Sequence, residues 1–175
     1  MALNEDLLKN MSASVLAFFE KGEVQQAAKV LGHACSVEGI VTEGNRIGRT
    51  IGFPTANLKI EPNAPLPANG VYAAMTRLEG DWYKSMVNIG TRPTLNQNNL
   101  AIEVFIIGFD REIYGKTLSV HFLKWLRNEV RFASLEHLKQ QLIKDQQQSI
   151  EEIEKLIVFP NPMDQQIFLK PAGDR

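Results

Sequence analysis

A glycine- and arginine-rich loop contains the residue types best suited to binding phosphate. Gly44, Gly48 and Gly52 recur at every fourth position, and Arg46 and Arg49 lie between them. Such a loop can present backbone N–H groups to a phosphate while the arginines neutralise its charge. The spacing matches neither G-x-x-x-x-G-K-[ST] nor G-x-G-x-x-G. On composition alone, a flexible surface loop with solvated arginines therefore stays the favoured alternative.

Two small oxygen-bearing side chains follow this loop. Phe53-Pro54 stiffens the backbone before Thr55 and Asn57, which are two residues apart and so share one face of an extended segment. A hydroxyl and an amide oxygen behind a phosphate-sized loop suit Mg²⁺, a hard cation that combines a few protein oxygens with substrate phosphates. Hydrogen bonds within a turn would explain the same two residues equally well.

One carboxylate, Glu103, interrupts the apolar strand-like segment "LAIEVFIIGF". Alternation along the strand favours a side chain that points outward from a half-solvated sheet. A carboxylate that points into a site needing an acid or base would occupy the same kind of position. Both interpretations remain open for Glu103 at this level.

The histidines and the single cysteine give weaker signals. His33, His121 and His137 are far apart and lack metal-ligand spacing. Cys35 has no neighbouring base in the sequence. We predict that His121 is packed or half-exposed and that Cys35 is a buried small residue.

The hydrophobic pattern predicts helices at both ends of the chain and strands between them. The first helix is capped by Ser12 or Ser14 and ends at Lys21-Gly22, and the second, over 23–31, stops at Gly32. Five or six short segments rich in Val, Ile and Tyr follow from Ser36, which favours an antiparallel barrel or sandwich.

The C-terminal part changes back to a helical period. Ser134 caps a predicted helix, and a separate helical turn is expected from Ile150 to Val158. The tail beyond Phe159 contains three prolines and is expected to be irregular or frayed.

Composition limits the class of protein. The 175 residues are 44% hydrophobic and 22% charged, with a net charge of -1, which gives no electrostatic reason to bind nucleic acid or a membrane surface. One cysteine, no signal-peptide pattern and no long apolar run predict a soluble cytoplasmic protein.

Six segments in register resemble one known family. They are "GRTIGFPTANL" at 48–58, "GVY" at 70–72, "VNIGTRPT" at 87–94, "IEV" at 102–104, "YGKTLSV" at 114–120 and "LRNEVRFASLEHLKQQL" at 126–142. Together they closely resemble bacterial riboflavin kinase, and more specifically the C-terminal kinase module of the bifunctional riboflavin kinase/FAD synthetase. The likeness extends from about residue 34 to residue 145.

The resemblance implies a six-stranded antiparallel Greek-key barrel with a C-terminal helix. It also implies Mg²⁺-dependent transfer of the ATP γ-phosphoryl group to the riboflavin 5′-hydroxyl, which gives FMN and ADP. By matching position, Glu103 would be the general base, and Thr55 and Asn57 would hold the Mg²⁺–nucleotide. The nucleotide and phosphate site implied in this way comprises Gly48, Arg49, Gly52, Thr55 and Asn57. The segment 126–132 would line the flavin side, with Arg127, Glu129 and Phe132 as its candidate residues.

Two departures from the family pattern concern the substrate and the domain organisation. Phe105 stands where the family often has a histidine, which is expected to alter packing or a flavin-side contact. Residues 1–33 resemble the junction that precedes the kinase module, but Ala17 replaces the arginine of the adenylyltransferase signature. We therefore predict a helical remnant at 1–33, a kinase barrel with its helices at 34–159 and a tail at 160–175.

FAD synthesis is not expected from this chain, because the adenylyltransferase domain is absent from the sequence. If the chain is a fragment, an adenylyltransferase domain is a candidate packing partner. Two alternatives to riboflavin kinase stay open: a catalytically silent module that binds flavin or nucleotide, and a kinase of another small alcohol.

Overall fold

The structure is a closed barrel of six antiparallel strands. The computed structural model describes residues 12–44, 46–94, 97–161 and 163–170. The strands are β1 Ser36–Thr42, β2 Ala56–Ile60, β3 Gly70–Leu78, β4 Asp81–Thr94, β5 Gln97–Ile106 and β6 Thr117–Arg127. Their order around the barrel is β1-β2-β5-β4-β3-β6. Strands β3, β4 and β5 form a meander and β6 returns beside β3, which is the predicted Greek key.

Alternating side chains fill the barrel interior. In β6, for example, Leu118, Val120 and Phe122 are fully buried in the central cluster. In β4 the inward residues are Val87 and Ile89. Because successive side chains of a strand point to opposite faces, the intervening residues lie on the outer face of the barrel.

The two N-terminal helices close one end of the barrel. Helix α1 covers Ala13–Glu20 and α2 covers Val24–Leu31, as the sequence predicted. The ring of Phe19 lies 5.7 Å from that of Phe122 in the barrel interior. Val15, Phe19, Val24 and Ala27 of these helices belong to the same buried cluster as the barrel interior.

Two further helices flank the outer face. Helix α3, Ile47–Thr50, is a single turn within the glycine-rich loop, and α4 covers Leu135–Leu156. The hydroxyl of Ser134 caps α4 by accepting a hydrogen bond from the His137 N–H at 3.2 Å. The prediction of a separate turn from Ile150 to Val158 was wrong, because α4 runs unbroken through Leu156 and ends there.

The C-terminal segment packs against the barrel. Its conformation is largely irregular, as predicted, but the expectation of fraying was wrong for residues 163–170. Ile167 is 1% exposed, and its carbonyl accepts a hydrogen bond from the Ala34 N–H at 2.7 Å. The indole N–H of Trp82 donates to the Asp164 carbonyl at 3.2 Å. The prolines at 162 and 171 lie outside the described residues.

Among the described residues, no helix combines the length and the apolar character needed to cross a lipid bilayer.

Candidate active site

A cavity of about 360 Å³ lies against the outer face of the barrel. Strands β2, β5 and β4 form its floor, and helix α3, the segment 127–132 and helix α4 form its walls. We call it the larger cavity. Its polar lining residues are Arg46, Thr55, Asn57, Asn88, Glu103, Arg127 and Glu129, and its bulky apolar ones include Phe53, Met86, Phe105, Phe132, Leu138 and Leu142.

Three polar residues form one row across the floor of the larger cavity. Asn57 of β2 pairs with Glu103 of β5, and Glu103 pairs with Asn88 of β4. The next residues along β2 and β5, Leu58 and Val104, belong to the interior cluster, so the row points away from the barrel core. Directly paired residues have Cβ atoms about 4.5–5.5 Å apart, so an amide flanks Glu103 on each side.

The outward orientation predicted for Glu103 is confirmed, and its role as an acid or base stays a prediction. Its side chain points outward from the barrel, as alternation predicted, and it is half-buried because the outer face here is the floor of a cavity.

Close packing explains why positions 44 and 48 of the glycine-rich loop are glycines. A Cβ on Gly48 would collide with the carbonyl oxygen of Phe53 and would lie 3.8 Å from the Thr55 hydroxyl oxygen. A Cβ on Gly44 would overlap the amide group of Asn57, with Oδ1 only 2.8 Å away. Thr55 and Asn57 are thus held against the glycine-rich loop, and both line the larger cavity.

Several backbone N–H groups of this loop bond within the loop itself. Those of Ile51 and Phe53 donate to the Gly48 carbonyl at 3.1 and 2.8 Å, and that of Gly52 donates to the Arg49 carbonyl at 3.4 Å. Gly52 has a φ of +87°, which L-residues rarely adopt, and it ends the single turn of α3. Glycine is therefore favoured at this position by the backbone conformation.

A smaller cavity of about 220 Å³ opens at the end of the barrel where β1 ends and β2 begins. Arg46, Arg49 and Arg111 line it together with the aromatic residues Phe109 and Tyr114. Arg46 and Thr55 also line the larger cavity, so the two cavities meet at the glycine-rich loop. The guanidinium of Arg46 lies 5.6 Å from the centre of the Tyr114 ring.

Arg127 joins the barrel to helix α4. Its Nε donates to both oxygens of Asp145, at 3.0 and 3.1 Å, and its Nη2 donates to Oδ2 at 2.7 Å. Its Nη1 donates to the Asn128 carbonyl at 2.9 Å, and its guanidinium lies 5.8 Å from the Phe132 ring centre. Asp145 lies behind Arg127, outside the cavity lining.

Glu129 reaches back from the segment 127–132 to strand β4. Its Oε1 accepts a hydrogen bond from the Asn88 side-chain N–H at 3.4 Å. The carboxylate also rests on Gly90, where an added Cβ would lie 2.6 Å from the Glu129 Cδ.

Phe105, the residue that departs from the family pattern, belongs to the floor of the larger cavity. It lies two residues after Glu103 on the same face of β5, and its ring centre is 5.1 Å from that of Phe53. Phe53, Met86 and Phe105 form a small buried cluster, with Leu142 of α4 packed against it. An apolar aromatic floor therefore lies beside the carboxylate.

The donors around the loop fit Mg²⁺ that arrives bound to a nucleotide. Thr55 and Asn57 offer a hydroxyl and an amide oxygen, which are hard ligands. Within the described part of the chain, no group of three or more His, Cys, Asp or Glu residues could hold a metal ion. If Mg²⁺ binds here with a nucleotide, phosphate and water oxygens would supply most of its coordination, as they do at phosphoryl-transfer sites.

The predictions for the other reactive residue types are confirmed. His121 is 3% exposed and Cys35 is 2% exposed. Burial raises the pKa of the Cys35 thiol to about 11 and is the main reason why the pKa of His121 falls to about 3. Both side chains are packing residues.

All the predicted site residues lie around the two cavities, but the sequence did not identify all of their partners. Gly48, Thr55, Asn57, Glu103, Arg127, Glu129 and Phe132 line the larger cavity, and Arg49 lines the smaller one. Gly52 lies in the loop between them. Asn88, Asp145 and the segment 109–114 were missed. Asn88 lies within the recognised "VNIGTRPT" segment, which was the available signal, whereas Asp145 is one polar residue in a polar helix and carried none.

Comparison with known proteins agrees with this architecture. A family model for riboflavin kinase (flavokinase) matches residues 31–153. The bifunctional riboflavin kinase/FMN adenylyltransferase of Listeria monocytogenes is 37% identical over 140 residues, which are 79% of this chain and 45% of that protein. The protein of the same description from Bacillus subtilis is 34% identical over 151 residues, which are 85% of this chain and 48% of that protein. The chain thus spans about half the length of the curated relatives it matches.

Two solved structures share the fold. A Streptococcus pneumoniae chain described as a macrolide-efflux protein has a TM-score of 0.76 and 33% identity, covering 80% of this chain and 46% of that one. The riboflavin kinase of Trypanosoma brucei has a TM-score of 0.51 and 20% identity, covering 69% of this chain and 80% of that one.

Proposed function

The chain belongs to the riboflavin kinase family, and on that premise we propose that it transfers the γ-phosphoryl group of ATP to the 5′-hydroxyl of riboflavin, giving FMN and ADP. The observation that carries the proposal is the position of Glu103. Glu103 lies in the floor of a cavity of substrate size, on the strand that pairs directly with β2; Thr55 immediately precedes β2, and Asn57 lies within it.

Riboflavin occupies the larger cavity in this proposal. The apolar floor of Phe53, Met86 and Phe105 suits a flat aromatic ring system, and Phe132 lines the facing wall. Asn88 and Glu129 supply polar groups for the ring edge or the ribityl chain. The ribityl end then extends toward Glu103 and the glycine-rich loop.

ATP occupies the smaller cavity and reaches the larger one at Thr55. Arg46, Arg49 and Arg111 offset phosphate charge, and the aromatic residues at 109 and 114 offer surfaces for the base. Because Arg46 and Thr55 line both cavities, the γ-phosphate meets the riboflavin hydroxyl beside them. That meeting point supports in-line transfer between two bound substrates.

Thr55 and Asn57 hold the metal–nucleotide, and Glu103 accepts the hydroxyl proton. When bound, Mg²⁺ neutralises the charge that develops on the phosphate oxygens. The rigid pairing of β5 with its two neighbours fixes the Glu103 backbone, and a fixed carboxylate is what a general base requires. Glu129 is the second carboxylate that lines the larger cavity. It contacts Asn88 of β4, and β4 lies one strand further than β5 from the strand that follows Thr55.

The second activity named for the bifunctional relatives is adenylyl transfer to FMN. Those proteins are described as riboflavin kinase/FMN adenylyltransferases, and this chain matches less than half of each. We propose that the present 175 residues make FMN without FAD, and that residues 1–33 correspond to the junction between the two modules.

A pair of carboxamide variants tests the mechanism. The purified chain is assayed with riboflavin, ATP and Mg²⁺, and FMN and FAD are separated by chromatography. We expect Glu103→Gln to lower kcat by about 10²-fold or more while riboflavin and nucleotide binding persist, which is the scale of general-base loss. Glu129→Gln, the matched control in the same cavity, is expected to change the KM for riboflavin more than kcat.

The outcomes separate the alternatives. A fully active Glu103→Gln protein would remove Glu103 from the mechanism. Binding of riboflavin or nucleotide without any FMN would identify a silent binding module. Phosphorylation of another alcohol but not of riboflavin would identify a different acceptor.

A further inference from the structure

Asp145 of helix α4 lies outside both cavities, yet it is tied to a residue that lines one of them. We propose that Asp145 is a positioning residue that holds Arg127, and through Arg127 the segment 128–132, as one wall of the larger cavity. The consequence for riboflavin binding rests on the proposed function, because that function assigns this cavity to riboflavin.

The carboxylate of Asp145 is removed from water and fully engaged. It is 1% exposed, and it accepts three hydrogen bonds from Arg127 and one from the Gln141 side chain at 2.8 Å. A buried charge costs several kcal/mol unless it is paired and hydrogen-bonded, so this site is built for the Arg127 guanidinium. The planar fork of an arginine satisfies such a carboxylate, whereas a lysine offers only a point charge.

The Arg127 guanidinium also contacts the residues that form the cavity wall. While Nε and Nη2 face Asp145, Nη1 donates to the carbonyl of Asn128, the first residue of the segment. The same group lies against the ring of Phe132, the last residue of the segment. Both ends of the segment therefore depend on the orientation of one side chain, and Arg127 serves the wall more than it offers donors to a ligand.

A further polar contact holds the segment 128–132 to the barrel, and it is weaker than the Arg127–Asp145 pair. Glu129 is exposed and contacts Asn88 at 3.4 Å. An exposed contact of that length contributes little on its own. Without the Arg127–Asp145 pair, the wall that carries Phe132 and Glu129 is expected to loosen.

A second ion pair provides a matched control. Lys124 and Glu152 also join β6 to α4, with Nζ 2.7 Å from Oε2, and neither residue lines the larger or the smaller cavity. If docking of α4 on the barrel were all that mattered, removing either pair would affect ligand binding alike. If Asp145 positions the wall, only the Arg127–Asp145 pair matters.

The test compares Arg127→Met/Asp145→Leu with Lys124→Met/Glu152→Leu. Each double variant replaces an ion pair by apolar residues, so no charge is left buried alone. Riboflavin affinity is measured by flavin fluorescence, and hydrogen–deuterium exchange is followed for the amides of 128–132. For the Arg127/Asp145 variant we expect a Kd at least about tenfold higher and faster exchange in this segment. For the control variant we expect a Kd within about twofold of the wild-type value and unchanged exchange.

The results distinguish the positioning role from the proposed function. If the wild-type protein binds riboflavin and the Arg127/Asp145 variant binds it equally well with unchanged exchange, the positioning role is overturned. If the wild-type protein does not bind riboflavin, the proposed function fails and the exchange rates alone decide the positioning role.

If the double variant does not fold, Arg127→Lys replaces it. Its ammonium keeps the charge beside Asp145 but cannot also reach the Asn128 carbonyl, and the same two measurements decide.

Discussion

Acidification should destabilise this protein through one buried side chain, His121. This residue of β6 is 3% exposed, its Nε2 lies 3.0 Å from the Ser119 hydroxyl, and its ring packs edge-on against Trp82. Among the described residues, its Nδ1 has no hydrogen-bond partner. Burial, followed by electrostatic repulsion from His33 and Arg77, lowers the pKa of His121 from 6.5 to about 3.

The magnitude follows from proton linkage. Above pH 6.5 His121 is neutral in both the folded and the unfolded chain, so it imposes no penalty. Between pH 6.5 and pH 3 the unfolded chain binds a proton that the folded chain does not, and stability is lost as the pH falls. Each pH unit in this window costs about 1.36 kcal/mol. From pH 7 to pH 5 the free energy of unfolding should therefore fall by about 2 kcal/mol because of His121.

Urea unfolding followed by tryptophan fluorescence at pH 7, 6 and 5 measures this loss. The comparison is with His121→Gln, whose amide stays neutral throughout. We expect the variant to be less stable at pH 7, because its side chain fills the site differently, and to lack the loss of about 2 kcal/mol on acidification. An equal loss in the variant and in the wild-type protein would show that another group is responsible.

Three further predictions concern buried or tightly packed positions. Cys35, with its pKa near 11, should be alkylated at pH 8 at least about 100-fold more slowly than a free thiol, as thiol-reagent kinetics would reveal. Ile167→Ala should lower the free energy of unfolding by about 3 kcal/mol, because the Ile167 side chain is buried and 1% exposed. Denaturant titration measures this loss. A loss below about 1 kcal/mol would contradict the packing of the C-terminal segment. Gly90→Ala should displace the Glu129 carboxylate, whose Oε2 would lie 2.9 Å from the new methyl group. A several-fold higher KM for riboflavin with less than about 1 kcal/mol of destabilisation is expected, and an unchanged KM would remove Glu129 from substrate binding.

Local patterns were enough to predict most elements of the fold. Alternation predicted an antiparallel barrel or sandwich, and the family resemblance implied the barrel. Ser134 and Gly32 were correctly predicted to mark helix ends, and of the two candidates Ser12 and Ser14, Ser12 caps the first helix. Caps and side-chain periodicity depend on neighbours within a few residues, so these features were predictable from the sequence. The break expected before Ile150 was wrong, because the polar residues there lie on one continuous helix whose opposite face packs on the barrel. Packing of the C-terminal segment was also missed, because its contacts with Ala34 and Trp82 join residues that are far apart in the sequence.

The sequence by itself determined which residue types were available for chemistry. Thr55 and Asn57 two residues apart, and Glu103 within an apolar strand, were recognisable from spacing and from the family resemblance. Only the tertiary structure decided that Asn88 would flank Glu103 and that Asp145 would hold Arg127. The physical reason is that strand neighbours in a closed barrel are set by hydrogen bonds between segments far apart in sequence, and β2 pairs with β5 although two strands intervene in the chain. An outward-pointing carboxylate lines a cavity because α4 and the segment 127–132 cover the outer face beside it.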